Sequence, residues 1–320
     1  MITQRATDAI EASDTDELLR VIDGYCKSSE WESLIELRAR CQEAQTRGKQ
    51  LWGVDEHVRY RLALEAPAQY AGPIVTEGAA RFALGPLPEV AASTKSWIEM
   101  EAHLENGPER QTFAAERVVR GDSVSEPIAD LPSKIMDWEP AYPVATYKSD
   151  KVEAPSPLPP SGTETSLPRA ASRVDDFESE GALADLVLPW STESNGQCET
   201  VTIEGDTLGA IAALGLSTAR VAPLAVQEAM VWMAWAGGSG GAHGRRRGAA
   251  AGRYGTWWVL ASICDLEWPP TPSDVGEAID RLHCVWFDDG SPGTGWQLRI
   301  AIADRETGLA WAIAAIDAAD

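Results

Sequence analysis

The stretch "HCVWFDDGSPGTGWQLRIAIADRETGLAWAIAAIDAAD", residues 283–320, decides what kind of fold the C-terminal half can have. Two apolar runs, "HCVWF" and "WQLRIAIA", flank the turn-rich "DDGSPGTG". Trp296, Leu298, Ile300 and Ile302 fall on one face at the two-residue period of a strand, so the segment predicts a β-hairpin. Beyond it, Leu309, Ala312, Ile313 and Ile316 fall at helical spacing and predict a last amphipathic helix over about residues 306–317. Asp288-Asp289-Gly290 has carboxylates for a divalent cation, but it lacks the staggered ligands of a calcium loop and reads as the hairpin turn.

Working upstream, "CETVTIEG" alternates Val201 and Ile203 as a strand should, and Asp206 is placed to cap a helix running through Leu214. Pro223 at a first-turn position opens "LAVQEAMVWMAWA", which is apolar on nearly every side and so predicts a central buried helix. The first 120 residues read instead as short helices between tight breaks. Ser29-Glu30-Trp31-Glu32 fits a capping box, with Trp31, Leu34, Ile35, Leu37 and Cys41 behind it at helical spacing. Further helices are predicted over 14–27, 54–66, 76–84, 88–103 and 108–119, broken at Pro67, Gly72-Pro73, Gly85-Pro86 and Gly107-Pro108.

Nine of the twenty prolines fall between Pro127 and Pro168, a composition that resists helix and packed sheet alike. Trp138, Tyr142, Val144 and Tyr147 give its early part enough apolar surface to pack as an extended arm. The later "APSPLPPSGTETS" reads as a spacer, with a polyproline docking peptide as the other reading. The expected fold is therefore mixed. An all-α N-terminal domain, an irregular helical bundle or helical-repeat-like array, covers 1–125, and a proline-rich arm and linker covers 126–180. An α+β domain with a Gly/Arg-rich helix, a C-terminal β-hairpin and a final helix covers 181–320.

The 49 acidic and 27 basic side chains leave a formal charge of −22. Nucleic acids and anionic membranes are repelled by such a chain, because phosphate binding draws on Lys and Arg. The five cysteines are widely spaced and form no CxxC, so neither a disulfide framework nor a zinc knuckle is indicated, and no cofactor is implied. The start lacks a signal-peptide pattern and no apolar run reaches the roughly 18 residues of a membrane span. A cytoplasmic protein is the expectation.

One stretch breaks the acidic pattern. From residue 229 to 264 there is no Asp or Glu, and within that gap "GGSGGAHGRRRGAAAGR" carries His243, Arg245, Arg246, Arg247 and Arg253. These five are the candidate anion site: amides at a Gly-rich helix start, with guanidinium forks, can hold a phosphate or carboxylate. Glycines 240, 244, 248 and 252, four residues apart, equally suit a helix that packs closely on another backbone. Named motifs add little. The P-loop pattern fails at its first glycine and at its lysine, and the near-GxGxxG of 238–243 follows a helix-like segment where a strand is needed. The GxSxG match at 237–241 comes cheaply in a glycine run. His57, His103, His243 and His283 are isolated, and Trp257-Trp258 reads as core before ligand platform.

The segment "GGAHGRRRGAAAGR", the paired tryptophans after it, and the closing "GWQLRIAIADRETGLAWAIAAIDAAD" resemble a family of uncharacterised proteins from high-GC actinobacteria. The resemblance extends to "YRLALEAPAQYAGPIVTEGAARFALGPLPEV" in the helical half. It implies a cytoplasmic bacterial protein and carries no activity or functional residues. With no convergent catalytic set, the expected role is a non-catalytic adaptor or assembly protein acting through protein contacts. The alternative is an enzyme or sensor for a small phosphate- or carboxylate-bearing ligand at Arg245–Arg253, with His243 as acid or base. A weak, salt-dependent nucleic-acid contact confined to the basic face is the third possibility.

Overall fold

The computed structural model describes every residue except 79–82, 127, 129, 170, 291–294 and 319–320. Contacts divide the chain into two compact units, one of residues 1–117 and 145–153, the other of 118–144 and 154–320. Of the proline-rich stretch, residues 145–153 belong to the first unit and the remainder to the second.

The first unit is helical: α1 (Gln4–Ala12), α2 (Thr15–Ser28), α3 (Trp31–Thr46), α4 (Trp52–Glu65), α5 (Ala68–Thr76), α6 (Leu87–Ala92), α7 (Trp97–Met100) and α8 (Pro108–Val119), whose end passes into the second unit. A two-strand ladder of β1 (Thr146–Tyr147) and β2 (Val152–Glu153) completes it. Leu18, Ile22, Leu34, Leu37, Val58, Leu62 and Val75 meet in its core. The expected capping box at Ser29 is not formed. Ser29 closes α2 in the left-handed region at φ 58°, with its N–H on the Cys26 carbonyl, and α3 starts from an uncapped Glu30. The expected break at Gly72-Pro73 is also absent, because both residues lie inside α5. Part of the helix expected over 76–84 lies outside the described residues, and α5 already ends at Thr76.

In the second unit, β3 (Thr163–Ser166), β4 (Gln197–Glu204), β5 (Thr218–Leu224), β6 (Leu282–Asp288), β7 (Trp296–Asp304) and β8 (Leu309–Asp317) form one sheet in the order β3-β5-β6-β7-β8-β4. Every pair is antiparallel. The expected hairpin is β6–β7, with the turn residues 291–294 outside those described.

The helix expected over 306–317 is a correction: this segment is β8, paired with β7 on one side and β4 on the other. The sheet is covered on both faces, so its central strands need no polar face and read as continuous apolar runs, which periodicity alone cannot tell from a buried helix. On one face Trp286, Ile300, Ile302, Trp311 and Ile313 meet α9 (Phe177–Leu186), α12 (Val226–Gly238), α13 (Ala249–Ile263) and α14 (Pro272–Ile279). On the other, Val201, Ile203, Val285, Phe287, Ala301 and Ala312 meet α11 (Thr207–Ala213), which Asp206 caps through the Gly209 N–H at 2.8 Å. The short α10 (Leu188–Thr192) follows α9. Pro223 belongs to β5, not to the start of α12. Its strand neighbour β3 ends at Thr163↔Val221, and a proline is tolerated where only one side of the ladder remains.

All five cysteines are free, four of them buried. Burial pushes the Cys41 thiol from 9.0 up to about 12. The folded thiol therefore stays protonated where the unfolded one ionises, so its contribution to stability is complete below pH 9 and is lost as pH rises toward 12. The stability difference between wild type and Cys41→Ala, read from urea unfolding, is expected to shrink between about pH 8.5 and pH 10.5.

Candidate functional site

The basic stretch is a loop, not the helix expected across it. α12 ends at Gly238 and α13 begins at Ala249, leaving 239–248 irregular. Most of its amides are engaged by the chain itself. Asp317, at the end of β8 and 1% exposed, accepts the Ala242 N–H at 2.6 Å and the Ser194 hydroxyl at 3.0 Å. The Ser194 oxygen accepts the His243 N–H at 3.2 Å, and the Glu193 carboxylate accepts the Arg245 N–H at 3.0 Å. The Arg247 and Gly248 N–H groups both reach the Gly238 carbonyl, at 2.9 and 3.1 Å. Ser239 anchors the entry by accepting the Trp190 indole N–H at 3.0 Å. The loop therefore does what its composition suggests, holding carboxylates on backbone amides, but the carboxylates are its own. Gly241 is fixed in this role: at φ 74°, a Cβ would stand 2.1 Å from the Asp317 Oδ2.

Close helix packing, the other reading of the glycines, holds at Gly252. A Cβ there would lie 2.0 Å from the Ala234 carbonyl oxygen, so α13 lies against α12 backbone to backbone.

Arg253 sits on α13, apart from the loop arginines. Its side chain is 2% exposed and forms a two-pronged pair with Glu139, whose side chain is wholly buried, at 2.8 Å for both bonds. Its remaining N–H groups reach the Pro132 and Lys134 carbonyls at 3.0 and 3.1 Å. Glu139 also accepts the Trp257 indole at 3.0 Å, the Tyr142 hydroxyl at 2.8 Å and the Met136 N–H at 3.0 Å. Burial pulls the Glu139 carboxyl upward, yet the hydrogen bonds and charge of Arg253 outweigh it and hold the group below the usual carboxylate range. Burial first, then the neighbouring carboxylate, pushes Tyr142 well above its ordinary value. The five expected ligand residues thus do not converge: Arg253 is consumed in the core, while His243, Arg245, Arg246 and Arg247 stay on the loop.

What the loop does border is a groove of about 230 Å³ between α9 and α13. Ala182, Leu186, Gly237, Ala251 and Gly255 line it with small or aliphatic surface, and Tyr254 and Trp258 form an aromatic wall. Arg247 stands at the rim, donating to the Asp185 backbone carbonyl at 3.0 Å, and Asp185 also lines the groove. Trp268 stacks edge-on against both aromatic residues, with centroids 5.2 Å from Tyr254 and 5.0 Å from Trp258. Of the paired tryptophans, Trp257 is core, as expected, whereas Trp258 is half-buried in the groove. The signal in the sequence was the Tyr254–Trp258 spacing of one helical turn, which places both on the same stripe.

A sequence profile of DUF6183, a family of unknown function, matches residues 16–318. The chain belongs to this family. No curated protein and no solved structure matches it. As a member of DUF6183 it carries the Gly/Arg loop, the Glu139–Arg253 pair and the aromatic groove all within the matched span. Among the described residues, no cluster of three or more His, Cys, Asp or Glu side chains is placed to hold a metal ion, and no helix is long and apolar enough to cross a membrane.

Removing one partner of a buried ion pair leaves the other uncompensated, a cost of about 3–5 kcal/mol. Arg253→Met is expected to lower the urea-unfolding free energy of the second unit by that order. Arg245→Ala, at an exposed side chain, is expected to change it by less than about 0.5 kcal/mol.

Proposed function

We propose that the protein is a non-catalytic, cytoplasmic adaptor or assembly protein, and that the groove of Arg247, Tyr254 and Trp258 is where it takes hold of its partner. The observation that carries this reading is the composition of the groove. Trp, Tyr and Arg are the residues that concentrate binding energy in protein interfaces, and here they surround a floor of small side chains that a partner's anchor can reach.

The chemistry of the partner follows from charge. The groove borders the longest acid-free stretch, residues 229–264, in a chain of formal charge −22. His243, Arg245 and Arg247 are exposed on the loop beside it. Its partner is therefore an acidic segment carrying an aromatic or aliphatic anchor, drawn to the basic strip against the repulsion of the rest of the surface. A small phosphorylated ligand fits less well. The Ala242 and Arg245 amides hold internal carboxylates, Arg253 belongs to Glu139, and Asp185 lines the same groove.

Selection of random twelve-residue peptides displayed on phage tests this. Peptides enriched on the wild-type chain are expected to combine Asp or Glu with an aromatic or long aliphatic residue. Tyr254→Ala and Arg247→Ala are each expected to weaken them by about tenfold, the loss of a single interface anchor. Enrichment of peptides indifferent to both substitutions would overturn the assignment. So would a thermal shift by inorganic phosphate or a nucleotide that Arg247→Ala abolishes, with no peptide selected.

A further inference from the structure

The helix that forms one wall of the groove also carries an aromatic ring with nothing to cover it. Phe177, the first residue of α9, is 82% exposed, and no other Phe, Tyr or Trp among the described residues is as open to solvent. Carboxylates flank it in "DDFESE", residues 175–180. Asp176 is used internally, capping α9 through the Ser179 N–H at 3.1 Å and accepting the Trp311 indole N–H at 2.8 Å. Asp175 and Glu178 are exposed and Glu180 is half-buried, while Arg173 just upstream is paired with Glu199 at 3.0 Å. The segment is therefore acidic and carries an aromatic anchor, the chemistry that the groove calls for in a partner.

Phe177 does not serve its own groove. Ala182, Asp185 and Leu186 of the same helix line that groove and Phe177 does not. At about 1.5 Å per residue it starts roughly 7.5 Å along the axis from the nearest of them, a separation that the helix fixes. A second copy can supply the ring. Phe177, Gly181 and Asp185 share one stripe of α9 at four-residue steps, with Gly181 at the midpoint. Gly181 is exposed, and a Cβ on it would meet nothing within 4 Å. Two α9 helices crossing antiparallel at a two-fold axis on Gly181 set each Phe177 against the other's Asp185, at the groove, and the missing side chain lets the backbones approach closely.

Size and charge agree with that arrangement. A cavity of about 150 Å³ is enough for benzene. The groove, at about 230 Å³, has room for a benzyl side chain beside Tyr254 and Trp258. Two copies of formal charge −22 repel each other, so they come together most easily where the surface is basic. Because Arg247 is bonded to the Asp185 backbone carbonyl, the residues that flank an incoming Phe177 arrive next to it. Asp175 and Glu178 of each copy are thus carried toward the exposed Arg245 and Arg247 of the other. The carboxylate of Asp185 is the charge that opposes them.

We infer, resting on the groove as the docking surface proposed above, that its occupant is Phe177 of a second copy of this chain. Two chains associate about an axis at Gly181, and each places its Phe177 in the other's groove. The contact is self-complementary, so every substitution in it acts twice in the dimer.

Sedimentation velocity of the full chain, from micromolar to submillimolar concentration, tests this. The wild type is expected to pass from monomer to dimer as concentration rises. Phe177→Ser and Tyr254→Ala are each expected to weaken the dimer by at least about tenfold, because each removes both contacts at once. Phe177→Ser changes a solvent-facing side chain and is expected to leave the thermal midpoint of the monomer where it was. A mixture of the two variants regains one intact contact, the Phe177 of one in the groove of the other, and is expected to dimerise more tightly than either variant alone. Asp185→Asn, which removes the opposing charge, is expected to tighten the dimer. A wild type that stays monomeric throughout, or a dimer indifferent to Phe177→Ser, would overturn the inference, and a mixture no tighter than its components would contradict the reciprocal contact. If the wild type is monomeric and acidic aromatic peptides are still selected at the groove, docking there stands and only the occupant is wrong; if no such peptide is selected either, both fall.

Discussion

Glu139 and Arg253 lie in the interior of a sheet-and-helix core, and the second unit is organised around the need to satisfy them. A buried charge is tolerable only with a partner and with its remaining hydrogen-bonding capacity filled. Here the two prongs of the guanidinium meet both carboxylate oxygens, and the leftover donors and acceptors are met by two backbone carbonyls, one backbone amide, an indole and a phenol. Most of those groups belong to residues 132–142, a segment too rich in proline to form a helix or enter the sheet. The ion pair is what gives that segment a fixed place on α13, and Trp138 follows it, packing on Trp257 at 5.1 Å and donating to the Pro272 carbonyl at 3.1 Å. Lacking backbone ladders, the arm is held by side chains.

The same economy of local partners governs the Gly/Arg loop. A loop between two buried helices must satisfy its amides close to the core, and Asp317 and Glu193 supply the acceptors that solvent would supply elsewhere. Arg245 and Arg247 are exposed on this loop, with Arg247 beside the Tyr254–Trp258 wall and bonded to the Asp185 carbonyl. The protein thus separates its charges: carboxylates inside the loop, cations on its rim, and a strongly acidic surface over the rest of the chain.

Much of the fold was legible in the sequence where a local rule was strong. Asp206 capping α11, the alternation of β4, the β6–β7 hairpin and the apolar α12 all follow from pattern. What failed did so for identifiable reasons. Burial on both faces gave β8 the apolar spacing of a helix, and the tight two-residue link between α2 and α3 made Ser29 a helix terminator and left the N-cap position to Glu30. Of the site, the acid-free stretch and its arginines could be seen. That Arg253 points inward could not, because its partner lies 114 residues away in a segment with no periodicity to read.

The most direct measurement is hydrogen exchange on wild type and Glu139→Gln, followed peptide by peptide. If the ion pair is what fixes the proline-rich arm, amides in residues 130–142 and in α13 lose protection in the variant, while those of α2–α4 in the first unit keep theirs. Undiminished protection across 130–142 would show that apolar packing by Trp138 and Tyr142 suffices, and would contradict the central place given to Glu139 and Arg253.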